Sequence, residues 1–193
     1  MTQFYSESGQ VIPVTIVKAG EAVVTQIKTV KTDGYSAVQF GFSEAGKHTT
    51  KSLAGHVKGL LSRPKLCEMR LEDTSAFTVG QKHDVSVFNV GDNVAVVGTS
   101  KGRGYAGVVK RHHFHGSPAT HGHKHDLRAP GSIGPTAPQR VFPGMRMAGR
   151  MGGEQVTVIN QKIALVDQEK GLLYVKGAVP GARNSIVIIK GDN

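Results

Sequence analysis

Apolar and polar residues alternate over short stretches along most of this chain, and a helical period surfaces only once. Residues 11–18 (VIPVTIVK) are rich in β-branched side chains and bounded by Gly9 and Gly20, which predicts a strand; Pro13 marks an edge or early position in it. Over residues 22–31, Val24, Gln26 and Lys28 fall on one side and Val23, Thr25 and Ile27 on the other, the pattern of a half-buried strand. Asp33-Gly34 signals a turn, and residues 35–42 return as its hairpin partner. Residues 65–71 read as a further strand, closed by the acidic turn Glu72-Asp73. Residues 77–80 and 85–90 flank a turn and lead into a strand at 94–99. Beyond residue 153 the pattern resumes at 155–160, 163–167, 172–176 and 186–190, with Glu169-Lys170-Gly171 as a tight turn.

The helical exception lies within residues 46–63. Leu53, Val57, Leu60 and Leu61 recur at i, i+4, i+7 and i+8, one face of a short helix with Ser52 as its cap and Pro64 as its stop. Gly55 and Gly59 weaken that helix. Lys47, Lys51, Lys58, Arg63 and Lys65 give it a secondary basic face, readable equally as solvated surface or as nucleic-acid contact. About ten short strands, one helix and no repeat of fixed period predict a mainly β fold. The expected architecture is a β-barrel in a single domain, 1–193, with a small α/β insertion at 43–75.

Residues 101–153 break the alternation. They have no apolar period of their own, and a loop of this length in a compact domain is usually functional or disordered alone. Composition sharpens the point. This quarter of the chain holds nine Lys/Arg against one acid, Asp126, whereas the rest holds fifteen against thirteen, so the arm carries eight of the ten net positive charges. It also carries six of the nine histidines and five of the eight prolines. Charge so concentrated implies a polyanion partner rather than a uniformly solvated surface. Lys101, Arg103, Lys110, Arg111, Lys124, Arg128, Arg140, Arg146 and Arg150 have no acids spaced to pair with them, and phosphates supply the missing partner through charge-assisted bonds. His112, His113, His115, His121, His123 and His125 join them as donors and flat stacking surfaces for unpaired bases. Tyr105, Phe114 and Phe142 are either base-stacking rings or small anchors for the arm.

Two other chemistries fit the arm less well. Zinc could use the alternating histidines 121, 123 and 125, but no cysteine lies nearby and Asp126 is the only carboxylate. Gly102-Arg103-Gly104-Tyr105-Ala106-Gly107 matches G-x-G-x-x-G, yet a dinucleotide site needs a helix to open there. The β-branched, basic run that follows, soon broken by Gly116 and Pro118, predicts none. The glycines read instead as places where backbone comes close to something bulky. Elsewhere, Glu68, Glu72 and Asp73 read as a solvated edge, and Cys67, among Leu66, Met69 and Leu71, as a buried, inert thiol. No nucleophile elbow, zincin or phosphate-loop motif occurs. The expectation is a protein without enzymatic activity, metal, cofactor or small-molecule substrate.

The single cysteine allows no internal disulfide. The N-terminus shows no basic region followed by an apolar one, and no apolar run approaches the roughly 20 residues that span a bilayer. A soluble cytoplasmic protein with no membrane partner is expected.

Read together, Gly98-Thr-Ser-Lys-Gly-Arg-Gly-Tyr-Ala-Gly-Val-Val-Lys-Arg111, Pro118-Ala-Thr-His-Gly122, Arg128-Ala-Pro-Gly-Ser-Ile-Gly134 and Pro143-Gly-Met-Arg-Met-Ala-Gly-Arg-Met-Gly152 closely resemble the bacterial form of protein three of the large ribosomal subunit, the universal L-three family. Tyr174-Val-Lys-Gly-Ala-Val-Pro-Gly181 extends the match, which covers essentially the whole chain and is weaker before residue 90. The resemblance implies a translation-protein-type β-barrel with an inserted α/β subdomain. It implies direct binding of large-subunit rRNA near its 3′ end, a part in starting subunit assembly, an arm directed toward the peptidyl transferase centre, and neighbouring ribosomal proteins against the barrel. A free-standing β-barrel RNA chaperone is the alternative that composition alone does not separate. Two departures are visible. The family's usual glycine-rich strand ahead of Met1-Thr2 is not in this sequence, which leaves the partner of strand 11–18 open. The glutamine that some members carry methylated in the Met-Ala-Gly-x-Met-Gly motif is Arg150 here.

Overall fold

The computed structural model describes residues 1–6, 8–43, 49–57, 59–61 and 64–191. Among them the chain is mainly β. Its strands form three sheets, in the orders β1-β2-β11-β10-β7-β12, β5-β4-β3-β6 and β8-β9. The strands are β1 (Thr2–Tyr5), β2 (Val11–Lys18), β3 (Ala22–Lys28), β4 (Ala37–Ser43), β5 (Pro64–Arg70), β6 (Lys82–His83), β7 (Asn93–Thr99), β8 (Tyr105–Ala106), β9 (Gly149–Arg150), β10 (Gln155–Asp167), β11 (Leu172–Lys176) and β12 (Val187–Gly191). The largest sheet is open at β1 and β12, and no closed barrel is found among the described residues.

Contacts divide the chain into two compact units. The first is Met1–Ala95, Ile159–Val179 and Lys190–Asn193; the second is Val96–Val158 and Pro180–Ile189. In the first unit, β2 is paired on both sides: Tyr5 of β1 stands opposite Val11, and Lys176 of β11 opposite Val14. That settles the question left open for strand 11–18. Val14, Leu173 and Val175 come from β2 and β11, and Ile163 from β10; all four are essentially inaccessible to water. Such β-branched and leucine side chains stabilise by roughly 1.5–3 kcal/mol each on full burial. Val23 and Val24 of β3 and Ala37 and Val38 of β4 are also buried, as are Val57 and Val85. Since successive strand side chains point to opposite faces, both faces of the four-stranded sheet are covered there, not one as the half-buried pattern predicted.

Several boundaries differ from expectation, each for a local reason. The strand predicted to residue 31 stops at Lys28, because Thr29 caps a one-turn helix, α1 (Val30–Asp33), which Gly34 ends in the left-handed conformation. Helix α2 (Lys51–His56) begins from Thr50, not Ser52, and ends early; Val57 is fully buried, but Leu60 is exposed, so only part of the predicted apolar face is used. Of its predicted basic face, Lys51 and Lys65 are exposed, while Lys47, Lys58 and Arg63 lie outside the described residues. Residues 85–87 form a 3-10 turn rather than a strand, since the Asp84 carboxylate accepts a bond from the Val85 amide at 2.7 Å. The strands expected at 155–160 and 163–167 are one, β10, which absorbs Asn160 at φ 57° and a bulge between Ile163 and Leu165. Cys67 is half-buried, not buried: β5 pairs only with β4, at an edge of its sheet.

Glu68, expected on a solvated edge, is the centre of a polar network. Its Oε1 accepts from Lys28 Nζ at 2.8 Å and Gln39 Nε2 at 3.1 Å, and its Oε2 from Tyr35 OH at 2.8 Å. Gln39, itself buried, accepts through Oε1 from Thr25 Oγ1 and His56 Nε2, each at 3.0 Å. The hydrogen bonds from Lys28, then Tyr35, then Gln39 favour the charged carboxylate and hold Glu68 well below the usual range, at about 2. The same bond to Glu68 and a second to Tyr35 push the Lys28 ammonium upward.

Candidate nucleic-acid interface

The arm leaves and re-enters the second unit through a paired stem. The Ser100 amide donates to Glu154 O at 2.9 Å and the Gly153 amide to Ser100 O at 3.2 Å. Further out, the Arg103 amide donates to Met151 O and the Met151 amide to Gly104 O, both at 2.9 Å. Strands β8 and β9 continue the ladder, with Tyr105 opposite Arg150 and Ala106 opposite Gly149. The legs run this close because of Gly152. It sits at φ 72°, and any Cβ there would run into the carbonyl of Lys101.

Beyond β8 the chain turns into α3 (Val108–His112), capped by Gly107. This corrects the expectation that no helix forms here. Burial of Val108 beside Ala106 outweighs the weak helix propensity of two valines. The helix is five residues long, and β8 pairs antiparallel with β9 rather than in a parallel βαβ unit, so the surroundings of a dinucleotide loop are not built. Its last turn carries His112 with Lys110 and Arg111, two cations suited to a helix C-terminus. His113 then ends it at φ 59°.

Residues 113–148 contain no helix or strand, and between 118 and 147 only Ala129 is even half-buried. His113, His115, His121, His123, Lys124, His125, Arg128, Arg140 and Arg146 are all exposed along this stretch, and Lys110 is exposed on α3. They are not brought to one place. Among the described residues no three histidine, cysteine or acidic side chains converge as a metal site. Nor does any of the arm's nine Lys/Arg pair with a carboxylate; the ion pairs found lie at Lys28, Lys82 and Lys170.

Five of the fifteen candidate residues do converge. Lys101, Arg103, Arg111, His112 and Arg150 line a cleft of about 610 Å³ at the stem, together with Ser100, Met151, Gly152, Glu154 and Gly181. Charge density alone pointed to the first five. Of the others, Gly152 and Glu154 stood in plain view beside the basic motif, and the Gly152-Gly153 pair was the signal of close backbone approach. Arg111 is half-buried: its Nη1 donates to Met147 O at 2.8 Å, and His112 Nε2 donates to the same oxygen at 3.1 Å. The His112 ring leans on Phe114, with centroids 6.1 Å apart, which makes Phe114 an anchor of the stem. Tyr105 remains 80% exposed beside Arg150. A groove with four permanent cations and one carboxylate can hold phosphate oxygens through bidentate bonds while an open aromatic face lies next to it.

Comparison with known proteins agrees with these features. The ribosomal protein L3 family profile matches residues 67–172. The large ribosomal subunit protein uL3 of Herpetosiphon aurantiacus is 51% identical over 98% of this chain and 91% of its own length. The uL3 proteins of Acidothermus cellulolyticus, at 50% over 98% and 87%, and of Dehalococcoides mccartyi, at 48% over 98% and 93%, are similar to it to nearly the same degree. With half of its residues identical to a relative's along almost its entire length, and with the family profile spanning the basic stem and arm, the chain belongs to the ribosomal protein L3 family.

Proposed function

We propose that this chain is a structural constituent of the large ribosomal subunit, in the cytoplasm, and that it binds large-subunit rRNA through the stem cleft and the arm at 101–153. The observation that carries the reading is the arm's set of nine cations without a single carboxylate partner among the described residues. Groups so placed gain little inside the protein and much against phosphate. Family membership supports the finer statements: contact near the 3′ end of the rRNA, a part in starting subunit assembly, an arm directed toward the peptidyl transferase centre, and neighbouring ribosomal proteins against the globular part. We take the family's barrel, with its α/β insertion at 43–75, as the parent architecture of the sheets described above. The role is structural rather than catalytic. Sedimentation at physiological salt tests the reading: the protein should travel with the large subunit, and cross-links from 101–153 should map to its rRNA. A protein absent from those fractions yet bound to free RNA would instead be an RNA chaperone acting off the ribosome.

A further inference from the structure

We propose that Arg111 and His112 form a latch between the two legs of the arm and act on RNA only by shaping the cleft, whereas Lys101, Arg103 and Arg150 supply the charge that meets phosphate. The proposal rests on the RNA-binding reading and divides its cations into two kinds.

The geometry distinguishes them. Arg111 and His112 stand on the outgoing leg and reach across to one carbonyl, that of Met147 on the returning leg. A carbonyl oxygen has two lone pairs, and the two donors occupy both. The Arg111 guanidinium also fills the space above Gly149: a Cβ built there would lie 2.6 Å from Nη1 and 3.2 Å from Cζ. Gly149 is the partner of Ala106 in the β8–β9 ladder, so the guanidinium packs against the outermost rung of the stem. Lys101, Arg103 and Arg150 line the same cleft; the Arg150 guanidinium stands over Gly153 much as that of Arg111 stands over Gly149, but among the described residues no side-chain hydrogen bond or ion pair engages any of the three. Phosphate-binding cations must keep their donors free, and these three do. Arg111 has instead committed a donor to the chain itself and has given up part of its exposure.

Gly149→Ala separates shape from charge. Gly149 has no left-handed backbone that alanine would resist, and the atom its methyl meets is the far end of a flexible side chain. The variant therefore folds, displaces the guanidinium and leaves every charge in place. Arg111→Gln removes the latch and the charge together. In the RNA-free protein, amide exchange at Arg103 and Met151, which close the ladder, is expected to quicken about tenfold in both variants. Exchange at β2 and β11 serves as the control for overall folding and should not change. Against large-subunit rRNA, both variants should bind more weakly while the slope of log K against log salt stays at the wild-type value. Two results would overturn the latch. One is wild-type exchange at Arg103 and Met151 in both variants. The other is a slope for Arg111→Gln reduced by one full contact, roughly 0.7–0.9, with exchange unchanged. The exchange arm needs no RNA, so failure of the RNA-binding reading leaves the latch to be judged by itself.

Discussion

Replacing the three free cations of the cleft gives the most direct measure of how this protein would hold RNA. In Lys101→Gln/Arg103→Gln/Arg150→Gln, three positive groups that line one cavity are neutralised, and no ion pair among the described residues is broken. Each phosphate contact contributes roughly 0.7–0.9 to the slope of log K against log salt, so three contacts contribute about 2.1–2.7. Between 50 and 200 mM salt that slope multiplies into a factor of roughly twenty to forty. Wild-type protein should therefore lose about twenty to forty times more affinity over that range than the triple variant. The assay is a titration of large-subunit rRNA at several salt concentrations. Lys82→Gln/Lys170→Gln is the control. Both lysines already face carboxylates, Glu21 at 2.7 Å and Asp167 at 3.8 Å, and should leave the slope unaltered. A triple variant with the wild-type slope would refute the assignment of these residues, and an equal effect in the control would reduce the result to net charge.

Other outcomes follow from features away from the cleft. In the free protein, amides between 113 and 146 should exchange quickly, because few of them have backbone partners, while Arg103 and Met151 exchange slowly; uniform protection of the arm without RNA would contradict this. Leu173→Ala, at a fully buried site, should cost about 2–5 kcal/mol in urea unfolding, and a loss under 1 kcal/mol would place that side chain outside the core. Glu68 titrates lower in the folded chain, at about 2, than its ordinary 4.5, so it stabilises the fold above the latter value and loses that contribution as pH falls toward the former. Acid unfolding of Glu68→Gln should accordingly be flatter between about 4.5 and 2 than that of the wild type. Gly152→Ala should open the stem outright, since its methyl meets backbone at Lys101 rather than a movable side chain; unchanged exchange at Met151 would count against the close approach.

Strands were easy to read where a short apolar run is bounded by glycine or a turn. Strand β2 falls at the β-branched run 11–18 between Gly9 and Gly20, and β11 at 172–176 just after the Glu169-Lys170-Gly171 turn, and both send alternate side chains into a core. Elements held by a local bond or a distant packing partner were not legible. Asp84 turns residues 85–87 into a 3-10 helix through a single carboxylate, and α3 forms from two valines because Val108 is buried. Strand β1 is four residues long and too short to show a period; its pairing with β2 defines it. The interface divides in the same way. That cations gather in 101–153 is a property of composition. That four of them converge, with His112, depends on the register Tyr105 to Arg150, which sequence spacing over more than forty residues does not determine.

That register makes the arm a closed loop rather than two separate tails. Bringing the ends of some forty residues together costs roughly 3 kcal/mol of chain entropy, and the stem meets this cost before any RNA arrives. The topology then limits the order of events. A loop fastened at both ends cannot be passed lengthwise through a ring of helices that has already closed, as a free terminus could. On the proposed reading, the RNA segments that surround the arm must gather around it, so the protein has to be in place before the last of them docks.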